Sequence, residues 1–196
     1  MRNVAILVFD DVEVLDFAGP FEVFNVASEV IKSEPVPPFF TYTVAPTEHS
    51  IVARGGLRIQ PHCSFDNCPD PDILIIPGGL GSRRLMKNDY VLTWIQQLAP
   101  EVEYLLSVCT GALVLGAAGL LQDRPATTHH DAFDLLRSIS PTTTLIDDQR
   151  FVKSGKIITS GGISAGIDLS LEMVEMVLGA DKARLVHDEM EWMWHS

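Results

Sequence analysis

Cys109 is the residue of this sequence whose setting points most clearly to chemistry. It follows the apolar run Tyr104–Val108, which predicts a buried strand, and precedes Thr110–Ala118, which predicts a helix. A side chain at so tight a strand-to-helix turn is pushed out over the sheet edge in a strained backbone conformation. The amino end of the helix offers partial positive charge and free N–H groups. We therefore expect a nucleophile whose pKa lies well below the roughly 8.5 of free cysteine. A small buried core residue is the alternative.

Two glycines follow another apolar run and are candidates for placing backbone donors beside the sulfur. Ile73–Ile76 predicts a buried strand, which Pro77-Gly78-Gly79 ends. Glycine lets a backbone approach a ligand closely. The N–H groups of Gly78 and Gly79, together with that of Thr110, are therefore candidates for an oxyanion hole. A plain turn after the strand accounts for the same residues.

Asp16 is the candidate acid of the site. It lies in an apolar setting just past the first predicted strand, Val4–Phe9. Partial burial there raises the pKa of a carboxyl, and a protonated carboxyl beside a thiolate can donate a hydrogen bond and later act as an acid. Helix capping or a local turn is the alternative role, and Glu22 is the competing acid.

Two neighbouring histidines are candidate general bases for the thiol. His129 and His130 follow Thr127-Thr128. Imidazole titrates close to neutral pH, which suits a base that takes a proton from sulfur. The alternative is a histidine packed at the end of a strand.

We expect neither a metal nor a cofactor. His187, Glu191 and His195 recur at a spacing of four on the last predicted helix and imitate a metal-binding face, but a solvated helix face is enough to explain them. Cys63 and Cys68 lack the spacing of a zinc or redox pair, and three cysteines do not make a disulfide framework.

Strands and helices alternate along the chain. Strands are predicted at Val4–Phe9, Thr41–Ala45, Ile51–Ala53, Leu57–Ile59, Ile73–Ile76, Tyr104–Val108, Phe151–Val152 and Ile157–Thr159. Helices are predicted from Pro20 to Ile31, Tyr90 to Leu98, Thr110 to Ala118, Phe133 to Ile139, Ser164 to Leu178 and Asp181 to Trp194. This alternation predicts one doubly wound α/β domain over residues 1–196, with helices on both faces of a mostly parallel sheet. The carboxyl ends of the strands then bring the turn after Phe9, the glycine pair and Cys109 together.

Composition and charge narrow the classes of partner. The 196 residues are 46% hydrophobic and 20% charged, as in an ordinary globular domain. A net charge of −12 repels phosphate backbones and speaks against nucleic acid. The first apolar run is too short for a signal segment or a membrane span, so we expect a cytoplasmic protein that acts on a small molecule.

The candidate residues lie in segments that together resemble the DJ-1/PfpI superfamily, in the same order and spacing. The segments are Ala5–Phe9, Leu15-Asp16 with Gly19-Pro20, Ile76–Gly79, Ser107–Ala112, Ala126–His129 and Ser160–Asp168. The resemblance covers nearly the whole chain. It implies a flavodoxin-like, class I glutamine amidotransferase-like fold with a nucleophile elbow, and a homodimer.

Two branches of that superfamily are most similar: the isonitrile hydratases and the ligand-binding half of AraC-type regulators. By position the resemblance makes Cys109 the nucleophile, Asp16 the nearby acid, and Thr110 the residue after the nucleophile that the hydratases use. It places Gly79 and Thr110 at the oxyanion hole, and His129 at the histidine of DJ-1-like glyoxalases.

Departures from the superfamily pattern select among its activities. Thr110 stands where PfpI-type proteases have histidine, which speaks against a peptidase, and Asp16 stands where DJ-1 has glutamate, which favours the hydratase branch. The regulators need a helix-turn-helix domain, for which we expect no room before Ser196. The leading hypothesis is therefore an isonitrile hydratase-like enzyme. The alternatives are a glyoxalase or deglycase acting on 2-oxoaldehydes, and a non-enzymatic small-molecule or redox sensor in which Cys109 is oxidised.

Overall fold

The computed structural model describes residues 1–32 and 35–193, and within them strands alternate with helices. The strands are β1 (Arg2–Leu7), β2 (Phe39–Ala45), β3 (Ile51–Val52), β4 (Arg58–Ile59), β5 (Cys63–Ser64), β6 (Ile73–Ile76), β7 (Tyr104–Ser107), β8 (Pro125–Ala126), β9 (Thr144–Leu145), β10 (Phe151–Ser154) and β11 (Ile157–Ser160). The helices are α1 (Val14–Val30), α2 (Ser82–Leu85), α3 (Asp89–Leu98), α4 (Gly111–Ala117), α5 (Phe133–Ile139), α6 (Ala165–Leu178) and α7 (Ala180–Glu189).

A seven-stranded sheet forms the centre of the fold, with strand order β10-β11-β7-β6-β1-β2-β5. Its neighbouring strands are parallel except for the hairpin of β10 and β11. The residues of β6 are all fully buried, as expected for a central strand covered on both faces. The mostly parallel, doubly wound sheet predicted from the apolar runs is confirmed.

Two groups of helices flank the sheet. Helices α1, α6 and α7 pack against one another, and α4 packs against α2 and α5. In addition, β3 and β4, both predicted as strands, pair as an antiparallel hairpin, and β8 pairs with β9. Among the described helices, none is both long and apolar enough to cross a membrane.

Helix α1 begins earlier than the sequence pattern predicts. The prediction used Gly19-Pro20 as the start, whereas the helix begins at Val14 and contains Pro20. Proline inside a helix removes one backbone hydrogen bond, but burial of side chains such as Val23 and Phe24 on this helix opposes that cost. The correction matters because it places Asp16 in the first helical turn.

Helix α7 ends earlier than predicted. It stops at Glu189, and Glu191 lies beyond it with a positive φ of 48°. His187 and Glu191 therefore do not share one helical face, and the metal-face alternative loses its geometry. Trp194 and His195 lie outside the described residues.

Candidate active site

Cys109 occupies a strained elbow between β7 and α4. Its φ is 56°, in the left-handed region that side chains other than glycine rarely adopt. Two hydrogen bonds hold this backbone in place: the Cys109 N–H donates to the Gly161 carbonyl at 3.0 Å, and the Thr128 hydroxyl donates to the Cys109 carbonyl at 2.9 Å. The nucleophile elbow expected from the sequence is present.

The Cys109 side chain is 5% exposed and lines a cleft of about 190 Å³. This volume corresponds to about six water molecules at roughly 30 Å³ each, so the cleft suits a small ligand. Its lining residues are Glu13, Arg54, Gly79, Leu80, Arg83, Cys109, Thr110, His129, Asp131 and Ile163. The sequence pattern pointed to the glycine, the cysteine, the threonine and His129; the other six were not identified from it.

Asp16 is fully buried behind this cleft. Its Oδ2 accepts the Gly78 N–H at 3.0 Å, while its Oδ1 is buried without a hydrogen-bond partner among the described residues. Burial raises the pKa of Asp16 to about 7, against the smaller opposing effects of the Gly78 N–H and the Cys109 thiol. The predicted upward shift is confirmed in direction, and the acid lies next to the sulfur.

The pKa of Cys109 is shifted in the direction opposite to the prediction. Burial, and next the negative charge of Asp16, raise the pKa of the Cys109 thiol to about 12, and the N–H groups of Thr110 and Ile163 offset this only in part. The prediction of a lowered pKa was wrong because it counted the helix end but not the burial or the neighbouring carboxyl. The resting pair is therefore a neutral thiol beside a carboxyl that titrates near neutral pH.

The glycine N–H groups do not form the expected oxyanion hole in this structure. The Gly78 N–H is bound to Asp16, and the Gly79 N–H donates to Thr110 Oγ1 at 2.9 Å. The backbone donors that act on the sulfur are instead those of Thr110 and Ile163. Ile163 was not singled out from the sequence; its own φ of 53° is the structural signal that marks it.

The Thr110 hydroxyl fastens the elbow to the glycine turn. Besides accepting the Gly79 N–H, it lies 3.0 Å from the buried Ser82 hydroxyl and 3.2 Å from the Gly79 carbonyl oxygen. A Cβ at Gly78 would lie 2.4 Å from the Thr110 nitrogen and 3.0 Å from Asp16 Oδ2. Glycine is required at position 78 because the Asp16 carboxyl and the Thr110 backbone pack directly against it and leave no room for a Cβ atom. The close approach is that of the protein itself rather than that of a ligand.

His129 lines the same cleft as Cys109, whereas His130 does not. The His129 ring packs against Gly162, and its Nδ1 accepts the Asp131 N–H at 3.2 Å. Burial, and next the charge of His130, lower the pKa of His129, so the ring is neutral at neutral pH. His129, His130 and Asp131 also bring potential metal ligands within 4.8 Å of one another, but the last two are exposed.

The remaining sequence candidates lie elsewhere. Glu22 is exposed on α1 and does not line the cleft, so it is not the competing acid. Cys63 and Cys68 are free and partly buried at the edge strand β5 and just after it. Burial raises the pKa of Cys63 to about 11 and also raises that of Cys68. Neither lines the cleft.

The parallel sheet with a cysteine at a strand-to-helix elbow defines a class of α/β proteins that carry their nucleophile at this turn. Within that class the chain belongs to the DJ-1/PfpI family, whose model matches residues 2–176. It is 35% identical over 194 residues to the isonitrile hydratase of Pseudomonas putida, covering 97% of this chain and 78% of that protein.

Other relatives include transcriptional regulators. The chain is 25% identical over 173 residues to the HTH-type transcriptional regulator GbdR of Pseudomonas aeruginosa, and the match covers 88% of this chain but 46% of GbdR. Among solved structures, a ThiJ/PfpI family protein from Pseudomonas syringae superposes with a TM-score of 0.87 at 28% identity, over 100% of this chain and 76% of that one. An AraC family regulator from Pseudomonas putida, with a TM-score of 0.81 at 19% identity over 97% of this chain and 100% of that one, shares the fold.

Proposed function

We propose that this chain is a cysteine-dependent hydratase that adds water to the terminal carbon of an isonitrile and releases an N-substituted formamide. The observation that carries the proposal is the buried Asp16 carboxyl, with a pKa of about 7, beside the Cys109 thiol at the base of a small cleft. The similarity to an isonitrile hydratase over 97% of the chain supports the same activity.

The first step adds the S–H group of Cys109 across the terminal carbon. Asp16 takes the thiol proton as sulfur bonds to that carbon, and the proton is delivered to the same carbon, giving a thioformimidate, R–N=CH–S–Cys109. A carboxyl whose pKa is near the working pH can accept and return this proton. The raised pKa of Cys109 fits this step, because it keeps on the sulfur the proton that the carbon receives.

The second step consumes one water molecule. Water bonds to the thioformimidate carbon while Asp16 takes a water proton and passes it to nitrogen, giving R–NH–CH(OH)–S–Cys109. The carbon–sulfur bond then breaks, the hydroxyl proton returns to sulfur, and R–NH–CHO leaves. The sequence adds one water overall and involves no oxidation or reduction.

The backbone around the sulfur stabilises these steps. The N–H groups of Thr110 and Ile163 act on the thiolate as the S–H bond breaks. The Thr110 hydroxyl fixes the elbow to the glycine turn, so Thr110 acts in two ways: through its N–H at the sulfur and through its side chain as a positioning residue.

Product analysis tests the proposal. Wild-type protein incubated with a small alkyl isonitrile is expected to give the corresponding formamide, detected by NMR. Cys109→Ala is expected to abolish turnover, whereas the matched variant Cys63→Ala, which changes a cysteine outside the cleft, is expected to retain it. Formamide from Cys109→Ala at the wild-type rate, or none from wild type, would contradict the proposal.

His129 favours a second candidate, a glyoxalase-type reaction on a 2-oxoaldehyde. Its ring lines the cleft and its pKa is lowered, so it is a neutral base in reach of the same ligand. This reaction would give lactate from methylglyoxal, and His129→Ala would abolish it while sparing isonitrile hydration. Absence of lactate from wild type eliminates this candidate.

The redox-sensor hypothesis loses support from the same geometry. Oxidation of cysteine by peroxide proceeds through the thiolate, and burial and Asp16 raise the pKa of Cys109 to about 12. We therefore favour an enzyme over a sensor that is read out by oxidation.

A further inference from the structure

Arg83 is a cation of the cleft without an ionic partner. It lines the cleft together with Cys109 and is partly buried, yet its side chain makes no hydrogen bond or ion pair with any residue that the structure describes. Other arginines nearby are paired: Arg54 binds Glu13 at 2.7 Å, and Arg84 binds Asp11 at 2.8 Å. In a chain of net charge −12, an unpaired guanidinium in the same cleft as a nucleophile indicates a binding site for an anionic ligand.

The other charges of the cleft do not neutralise Arg83. The Glu13 carboxylate is bound to Arg54, and the Asp131 side chain is 74% exposed and lies 3.1 Å from the His130 ring. The His129 ring is uncharged near neutral pH, and Arg83 itself contributes to lowering its pKa. The cleft therefore offers one unpaired positive charge to whatever occupies it.

We propose that the substrate of the Cys109 cleft carries a carboxylate and that Arg83 is the specificity-determining residue that binds it. The identity of the reacting group rests on the proposed hydratase function; the anion selection does not. A guanidinium presents a planar fork of N–H donors that matches the two oxygens of a carboxylate.

The size of the cleft limits the length of the linker between the substrate's carboxylate and its reactive carbon. Arg83 and Cys109 line the same volume of about 190 Å³, below the roughly 300 Å³ at which drug-sized pockets begin. Carboxylate and reactive carbon must therefore be separated by a short linker. The substrate class is a small isocyano carboxylic acid rather than a bulky hydrophobic isonitrile.

A matched pair of substrates tests this specificity. We expect wild-type protein to hydrate isocyanoacetate with a kcat/KM about tenfold or more above that for isocyanoacetamide, a neutral compound of nearly the same shape. Arg83→Gln is expected to remove the preference by raising KM for the acid while leaving the amide unaffected, and Arg83→Lys is expected to retain part of it. The control Arg184→Gln makes the same change in net charge outside the cleft. Equal kcat/KM for acid and amide in wild type would overturn the proposal.

Alkylation of Cys109 tests anion selection independently of the enzymatic reaction. Labelling of the Cys109 peptide by iodoacetate and by iodoacetamide is followed by mass spectrometry, with each rate divided by that of N-acetylcysteine. We expect the iodoacetate-to-iodoacetamide ratio to fall about fivefold or more in Arg83→Gln and to be unchanged in Arg184→Gln. An equal ratio in wild type and Arg83→Gln would overturn the proposal. Absence of formamide from both isonitriles, with the labelling ratio as expected, would instead remove only the hydratase function.

Discussion

At the scale of single residues, the chemistry of this chain depends on how one proton is shared between Cys109 and Asp16. The types and spacing of these residues were enough to predict that a cysteine and an acid meet at the sheet edge. The direction of the Cys109 pKa shift was not predictable from them. It depends on burial and on the neighbouring Asp16 carboxyl, which together outweigh the opposing effect of the Thr110 and Ile163 N–H groups on the sulfur.

The shared proton leads us to expect a single ascending limb in the pH profile of isonitrile hydration. Below the Asp16 pKa of about 7 the carboxyl is already protonated and cannot take the thiol proton, so kcat/KM should rise with pH and level off above 7. Asp16→Asn should lower kcat/KM by about 10²–10⁴-fold and remove the limb. Steady-state kinetics across the pH range provides the measurement, and a profile that falls as pH rises through 7 would contradict this assignment.

The strained backbone of Cys109 gives a prediction about stability. At a φ of 56° glycine is unstrained, whereas a side chain costs about 1 kcal/mol or more. We therefore expect Cys109→Gly to unfold at a higher denaturant concentration than Cys109→Ala, although both lack the sulfur. Chemical denaturation of the two variants measures the difference. If Cys109→Ala proved the more stable of the two, the elbow would not be strained.

At the scale of elements, the site depends on three chain segments converging on Gly78. Helix α1 brings the acid, the turn after β6 brings the glycine and the elbow before α4 brings Thr110. The order of strands and helices was predictable because buried parallel strands are continuous apolar runs. The start of α1 was not, because tertiary burial outweighed the local effect of Pro20.

Substitution of Gly78 tests this convergence. A Cβ at Gly78 would overlap the Thr110 nitrogen at 2.4 Å, so Gly78→Ala should destabilise the fold by about 1–3 kcal/mol and displace the acid from the sulfur. The melting temperature and the rate of formamide production should both fall. Gly161→Ala is the matched control, since a Cβ there meets its nearest atom at an ordinary 3.6 Å. Equal effects of the two substitutions would contradict the crowding that the structure shows at Gly78.

At the scale of the whole molecule, the resemblance carried by short motifs correctly predicted the family and the fold over nearly all of the chain. Six residues of the cleft wall, Arg83 among them, escaped prediction because they come from loops and from helical segments too short to show a periodic pattern that would fix their side-chain directions. The homodimer and the cytoplasmic location stay predictions from the sequence.

The buried acid also makes the stability of the whole fold depend on pH. Because the pKa of Asp16 is raised in the folded state to about 7 from 3.8, its stabilising contribution is complete below 3.8 and is lost as pH rises to 7. Asp16→Asn should therefore melt roughly 5–10 °C above wild type at about pH 8, corresponding to a few kcal/mol, and close to wild type at about pH 4. Calorimetry at the two pH values provides the comparison. If Asp16→Asn were less stable than wild type above pH 7, the conclusion that the buried Asp16 carboxylate destabilises the fold when it is ionised would be wrong.

Covalent attachment of the substrate to Cys109 is the feature that separates this mechanism from simple acid-catalysed hydration in a cleft. The most direct measurement is rapid acid quenching of a single turnover of an isotopically labelled isonitrile, followed by mass spectrometry of the Cys109 peptide. We expect an adduct equal in mass to the whole isonitrile, which forms on Cys109 and decays as formamide appears. Labelled formamide produced at the full rate by Cys109→Ser, with no adduct on the wild-type peptide at any time, would contradict covalent catalysis by Cys109.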